Sequence, residues 1–198
     1  MEHMEKSLKQ FVSKVLVPRI TDDAKKFRIL NEADLQYRAA YHLDRRYVSQ
    51  YNDVYLVNQP YSWIGHGRGV KIAKPDIMIV DRREGPFSAF ELKCYLEDAD
   101  KKVPTICDNV WEDIKQLQRF KQRYREKSEC AFAIVLVDIP DESAHRVLVK
   151  ELNRDKDPWM AHYLRVAVIN LFCDENFRQR RGYKQWAEEW LDRRAQTT

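Results

Sequence analysis

The 198-residue chain lacks the features that mark several large protein classes. No apolar run approaches the roughly 18 to 20 residues of a membrane span, and no apolar stretch follows basic residues at the N-terminus; neither a membrane partner nor export is expected, and the cytoplasm is the expected compartment. Cysteines are few, and Cys94, Cys107, Cys130 and Cys173 form no C-x-x-C pair. With His3, His42, His145 and His162 they fall into no metal-binding or nucleophile pattern, which leaves buried free thiols in a reducing compartment. Glycine is scarce too, and three of the five residues crowd into Trp63-Ile-Gly-His-Gly-Arg-Gly69, where no G-K-[ST] ending follows and a P-loop is excluded. Repeats, low-complexity tracts and Ser/Gly/Pro linkers are absent, so residues 1–198 read as one domain. A formal charge of +4 permits a polyanionic partner without requiring one.

What is present is a succession of amphipathic segments. After a helix near residues 5 to 17, Asn31 can cap a helix running to about Tyr47, with Ala33, Tyr37, Ala40 and Tyr41 as one apolar stripe. Leu35, Ala39 and Leu43 form a second stripe with Glu32 at its head, which turns that carboxylate inward. Strands are expected at Asp53 to Tyr61, Lys74 to Asp81 and Phe87 to Leu96, an antiparallel meander whose last two strands are joined by Arg82-Arg-Glu-Gly-Pro86. A helix at about Asn109 to Lys127 carries Val110, Ile114, Leu117, Phe120 and Tyr124 on one face. The unalternating run Ala131 to Asp138 reads as a strand covered on both faces in the middle of the sheet. A helix at Glu142 to Asn153, a strand at Leu164 to Cys173 and a helix at Phe177 to Arg194, docked through Trp186 and Trp190, complete an α/β chain with a mixed sheet flanked by helices.

Chemistry concentrates on two of these strands. Residues two apart in a strand share a face, so Glu91 and Lys93 project together while Phe90, Leu92 and Cys94 point the other way. Asp76 stands at the head of an otherwise apolar strand, and pairing through the turn at 82 to 86 brings it to a neighbouring strand end. Two acids and a lysine then converge, and hard oxygen ligands of this kind suit Mg²⁺ or Mn²⁺ with water and phosphate completing the octahedron.

Pro75-Asp76, fourteen further residues, then Glu91-Leu92-Lys93, on the second and third strands of a helix, three-strand, helix, strand core, resemble the PD-(D/E)xK nuclease superfamily. The resemblance covers about residues 31 to 138, with 139 to 198 as an extension, and implies a restriction-endonuclease-like fold. It implies a metal-dependent phosphodiesterase in which Asp76 and Glu91 are metal ligands and Lys93 is the catalytic partner. Glu32 matches a glutamate that many members carry on the first core helix, beside the metal. Gln116-Leu-Gln-Arg-Phe120 is similar to the Q-x-x-x-Y pattern of exonuclease-like members, with phenylalanine in place of tyrosine, and adds Gln116 to the site.

DNA is the expected substrate, in repair, recombination, restriction or a mobile element. An RNA-directed nuclease and an inactive nucleic-acid-binding or assembly subunit stand as alternatives. The basic outer face of the second core helix, with Lys115 and Arg119 foremost among Lys121, Arg123, Arg125 and Lys127, can track a phosphate backbone or simply be solvated. Arg68 and Lys71, with the glycines beside them, can form a DNA-contacting loop or a plain connection. A core of this size acting on both strands calls for a second copy or a partner subunit.

Overall fold

The computed structural model describes residues 8–58, 75–96, 102–123, 130–154 and 163–173. The loop carrying His66, Arg68 and Lys71, the residues Tyr124, Arg125 and Lys127, and the segment holding Trp186 and Trp190 lie outside the described residues. Among the described residues five strands form one open mixed sheet in the order β1 (Val54–Asn58), β2 (Ile77–Asp81), β3 (Gly85–Tyr95), β4 (Cys130–Val137), β5 (Leu164–Asn170). The pairs β1–β2 and β2–β3 are antiparallel, whereas β3–β4 and β4–β5 are parallel. The antiparallel meander is as the sequence reads, and β4 is interior, with β3 the central strand.

Alternation along the strands divides the core between two layers. On one face Ile77, Ile79, Phe90, Leu92, Phe132 and Ile134 pack under helices α1 (Val17–Lys25) and α2 (Glu32–Arg46). On the other, Met78, Val80, Ala89, Ala133 and Val135 pack under α3 (Val103–Arg123) and α4 (Glu142–Leu152), which contribute Val110, Ile114, Leu117, Phe120 and Leu148. Phe90 and Phe132 stack across β3 and β4 with ring centroids 4.9 Å apart. Each fully buried side chain of this size contributes about 1.5–3 kcal/mol.

Strand β2 starts at Ile77, later than Lys74, and β3 at Gly85, earlier than Phe87; three further boundaries differ from the sequence reading, each for a local reason. The N-terminal helix does not stop near residue 17. It widens into a π turn at Val12–Leu16, with the Val17 amide donating to the Val12 carbonyl, directly before Pro18, whose ring and missing N–H interrupt the regular ladder there. Helix α3 starts at Val103, earlier than Asn109, with Pro104 in its first turn, where a missing N–H costs little. Strand β5 ends at Asn170, whose side chain accepts from the amides of Ile139 and Phe172 and turns the chain into a 3₁₀ segment, Leu171–Cys173.

On α2 the competition between the two stripes is settled in favour of Leu35, Ala39 and Leu43, all buried. Tyr37, of the other stripe, is 62% exposed. Asn31 caps this helix by accepting from the Asp34 amide at 2.9 Å. Because the cap fixes the turn that carries Glu32, Asn31→Ala is expected to cost about 1 kcal/mol, read as a lower urea midpoint at unchanged slope.

Candidate functional site

The hairpin β2–β3 sets the site. Asp81 accepts from the amides of Arg83 and Glu84, at 2.8 and 3.0 Å, and Gly85 follows at φ +90°, a left-handed conformation that favours glycine. The ladder begins with Asp81 opposite Gly85 and Val80 opposite Pro86, then skips one residue, so that Ile79 faces Ser88 and Ile77 faces Phe90. That bulge decides the chemistry. An unbroken ladder would set Asp76 beside Phe90, on the apolar face, whereas the shifted one continues to Asp76 beside Glu91.

Strand β2 starts only at Ile77, while β3 runs on to Tyr95 beside β4. Among the described residues the backbone of β3 past Phe90 therefore faces a notch, and Asp76 occupies it. Its Oδ2 accepts from the Leu92 amide at 2.7 Å and its Oδ1 from Gln36 Nε2, on α2, at 2.8 Å. Both bonds fix the carboxylate against the strand that carries Glu91 and Lys93.

Electrostatically the two acids are in conflict. Burial, before any other cause, lifts the Asp76 carboxyl to about 6, against the opposing pull of the Leu92 amide and Lys93. Burial and then the charges of Asp76 and Asp113 push Glu91 up to about 10. Glu91 is only 4% exposed, and its Oε1 is buried without a hydrogen-bond partner among the described residues. Two carboxyl groups so placed hold one proton between them near neutral pH, unless a cation takes the proton's place.

Lys93 stands beside this pair. Its Nζ lies 3.3 Å from Glu32 Oε1 at the start of α2 and 3.3 Å from Asp113 Oδ2 on α3. Burial disfavours the ammonium, but Asp113, Glu32 and Asp76 together outweigh it and raise Lys93 above its ordinary range. Gln116 Nε2 donates to Asp113 Oδ1 at 3.4 Å, which connects the helix glutamine to the site through Asp113.

The structure thus brings together Asp76, Glu91 and Lys93, with Glu32 and Gln116 reached through Lys93. It adds two residues that sequence reading passed over. Gln36 lies one turn beyond Glu32 and shares its helix face, and Asp113 lies one turn before Gln116; those spacings were the available signals. Glu32 itself is turned to Lys93. Among the described residues no group of three or more His, Cys, Asp or Glu side chains is arranged to hold a metal.

The basic face of α3 is less uniform than its composition implies. Lys121 is buried, its Nζ 4.0 Å from the centre of the Tyr163 ring, and is not part of a solvated surface. Lys115 is exposed and paired with Glu112, and Arg119 is half-buried. Cys130 is buried, as expected, whereas Cys94 and Cys107 are half-buried thiols. His42, treated as structural in the sequence, ties α2 to α1 through Asp23 Oδ2 at 2.8 Å, and Asp23 also holds Arg28.

An apolar groove of about 420 Å³ between the N-terminal helix and β4–β5, lined by Val12, Phe132, Ile134 and Ala167 among others, contains none of these residues. No helix among the described residues is long and apolar enough to cross a membrane. No protein-family model, curated protein or solved structure matches the chain.

Proposed function

We propose that the chain is a metal-dependent nuclease of the PD-(D/E)xK type, built on a restriction-endonuclease-like core, that hydrolyses phosphodiester bonds of DNA. The observation that carries this reading is the meeting of Asp76 and Glu91 at a strand end with the Lys93 ammonium beside them. The order helix α2, antiparallel β1–β3, helix α3, parallel β4 supports the fold assignment.

The donor set fits Mg²⁺ or Mn²⁺. Glu91 Oε1 is a buried oxygen without a hydrogen-bond partner among the described residues, and the Asp76–Glu91 contact calls for a positive species between the two carboxyls. Two carboxylates suffice for Mg²⁺, which keeps waters and substrate phosphate in its remaining positions, so a third protein ligand is not required. Glu32 is paired with Lys93, while Asp76 and Glu91 would hold the ion. When bound, it would polarise the phosphoryl oxygens and lower the pKa of a coordinated water.

The chain's own groups have definite tasks. Asp76 is fixed by the Leu92 amide and Gln36. Lys93, kept charged by three carboxylates, acts as a cation and not as a base: it orients the attacking water and steadies the negative charge that develops on phosphate. A second reading, an inactive nucleic-acid-binding or assembly subunit, is favoured by one observation, that Glu32 is committed to Lys93.

Labelled DNA and RNA incubated with and without Mg²⁺ or Mn²⁺ separate the readings. DNA cleavage that needs the ion and disappears in Asp76→Ala and Lys93→Ala supports the nuclease. Cleavage of RNA alone moves the substrate class, and tight binding without cleavage favours the subunit. Anomalous density from Mn²⁺ away from Asp76 and Glu91 would sink the site assignment.

Arg119 and Lys115 are proposed to contact phosphate. Replacing each by alanine is expected to weaken binding to all sequences alike and to lower the slope of log affinity against log salt by about one per residue. Fluorescence anisotropy at several salt concentrations measures this, and an unchanged slope removes the residue from the interface.

A further inference from the structure

The acidic residue on α3 nearest the site has no counterpart in the motif that drew attention to it. We propose that Asp113 is a positioning residue for Lys93: helices packed on opposite faces of the sheet each present one carboxylate, and the ammonium is clamped between them. Asp113 comes from α3, which covers the face of Met78 and Ala89. Glu32 comes from α2, which covers the face of Ile77 and Phe90 and reaches Lys93 beside the Asp76 notch, past the start of β2.

The two partners are not equivalent. Lys93 donates a hydrogen bond to Glu32, whereas Asp113 Oδ2 faces the ammonium at ion-pair distance with no hydrogen-bond partner among the described residues. The Glu32 side chain is 39% exposed and Asp113 only 14%, so water screens the attraction of Glu32 more than that of Asp113. Asp113 is itself held on its other oxygen by Gln116. A lysine has four rotatable carbon–carbon bonds and no fixed donor geometry, so without a buried acceptor its head samples many positions. With Asp113 in place the ammonium is confined next to Asp76 and Glu91, the same reason that groups supporting an active-site side chain typically cost about 10–100-fold in activity when removed.

Gln116 gains a meaning from this arrangement. It acts two bonds away from the chemistry, by orienting the carboxylate that orients Lys93. The glutamine identified from the sequence is therefore a support, and Asp113 is the residue through which it works.

The catalytic part of this inference rests on the nuclease reading, but the clamp itself does not. In protein labelled with ¹⁵N at lysine Nζ, a confined ammonium gives a resolved signal apart from the solvated lysines; its loss in Lys93→Arg assigns it. Asp113→Asn is expected to abolish that signal and Asp113→Glu to restore it, each with a cooperative thermal transition that shows a folded chain. A signal that survives in Asp113→Asn overturns the clamp, whether or not the protein cuts DNA. If wild-type protein cuts DNA, Asp113→Asn should lower kcat about 10–100-fold with KM within about twofold, and Asp113→Glu should recover part of it. Equal kcat in wild type and Asp113→Asn overturns the positioning role. A wild type without turnover fells the nuclease reading alone, and the ammonium signal then decides the clamp.

Discussion

On the nuclease function proposed above, alanine at position 76 is expected to reduce ion-dependent DNA hydrolysis about a thousand-fold, because several kcal/mol of transition-state charge stabilisation by a bound metal would depend on it and each 1.4 kcal/mol is a factor of ten. Asp76 is the acid that stays ionised more readily of the two, with Glu91 holding the shared proton, so it supplies the first negative charge to an arriving cation. Its removal also strips the Leu92 amide and Gln36 of their acceptor, at a cost of about 1–3 kcal/mol for a buried unpaired donor. Relief of the repulsion on Glu91 works in the opposite direction, so the melting temperature should move little compared with activity. Lys93→Ala is expected to fall by a comparable factor in kcat. Lys93→Arg should not rescue it, since a planar guanidinium cannot sit at 3.3 Å from both Glu32 and Asp113 in the same way as a compact ammonium. Single-turnover cleavage at saturating Mn²⁺ measures both effects; an Asp76→Ala protein within tenfold of wild type would remove the site from the chemistry.

Replacing Glu91 by glutamine is expected to stabilise the metal-free protein at pH 8, by about 2 kcal/mol, while abolishing turnover. Glu91 is displaced upward from 4.5 to about 10, chiefly by burial, and Asp76 from 3.8 to about 6. Below about pH 3 both acids are largely protonated in the folded and unfolded chains alike, and the site costs little. As pH rises from there the unfolded chain releases protons that the folded chain retains, so the unfolded state gains and stability declines, first from Asp76 up to about pH 6 and on to about pH 10 from Glu91. Glutamine keeps the shape and removes the proton-dependent part. Melting temperatures in EDTA between pH 5 and pH 9 should therefore fall for wild type and stay flatter for Glu91→Gln. At pH 8 an added divalent ion should raise the melting temperature of wild type more than that of the variant. A wild-type curve that rises across the same interval, or a variant less stable at pH 8, would show that the two acids are not in conflict.

Much of the scaffold was legible because period and composition act locally. The helical spacing of Val110, Ile114, Leu117 and Phe120 finds its apolar layer, the unalternating run of β4 is buried on both faces, and Asn31 caps the helix that it precedes. The two helix boundaries that differ lie beside proline: the first helix runs on past Pro18 through a π turn, and Pro104 falls in a first helical turn, where a missing N–H costs little. On α2 two stripes of similar hydrophobicity competed, and tertiary packing, not amphipathicity, left Tyr37 in water.

The identity of the site's main groups belongs to the sequence: alternation in β3 forces Glu91 and Lys93 to one face whatever else the chain does. Their convergence with Asp76 belongs to the tertiary structure, because side chains alternate with a period of two and a single extra residue in the ladder decides which face an opposing residue joins. Gln36 and Asp113 likewise acquire roles only when helices from opposite faces meet β3 at the notch, since nothing in a one-dimensional pattern records what lies across a sheet.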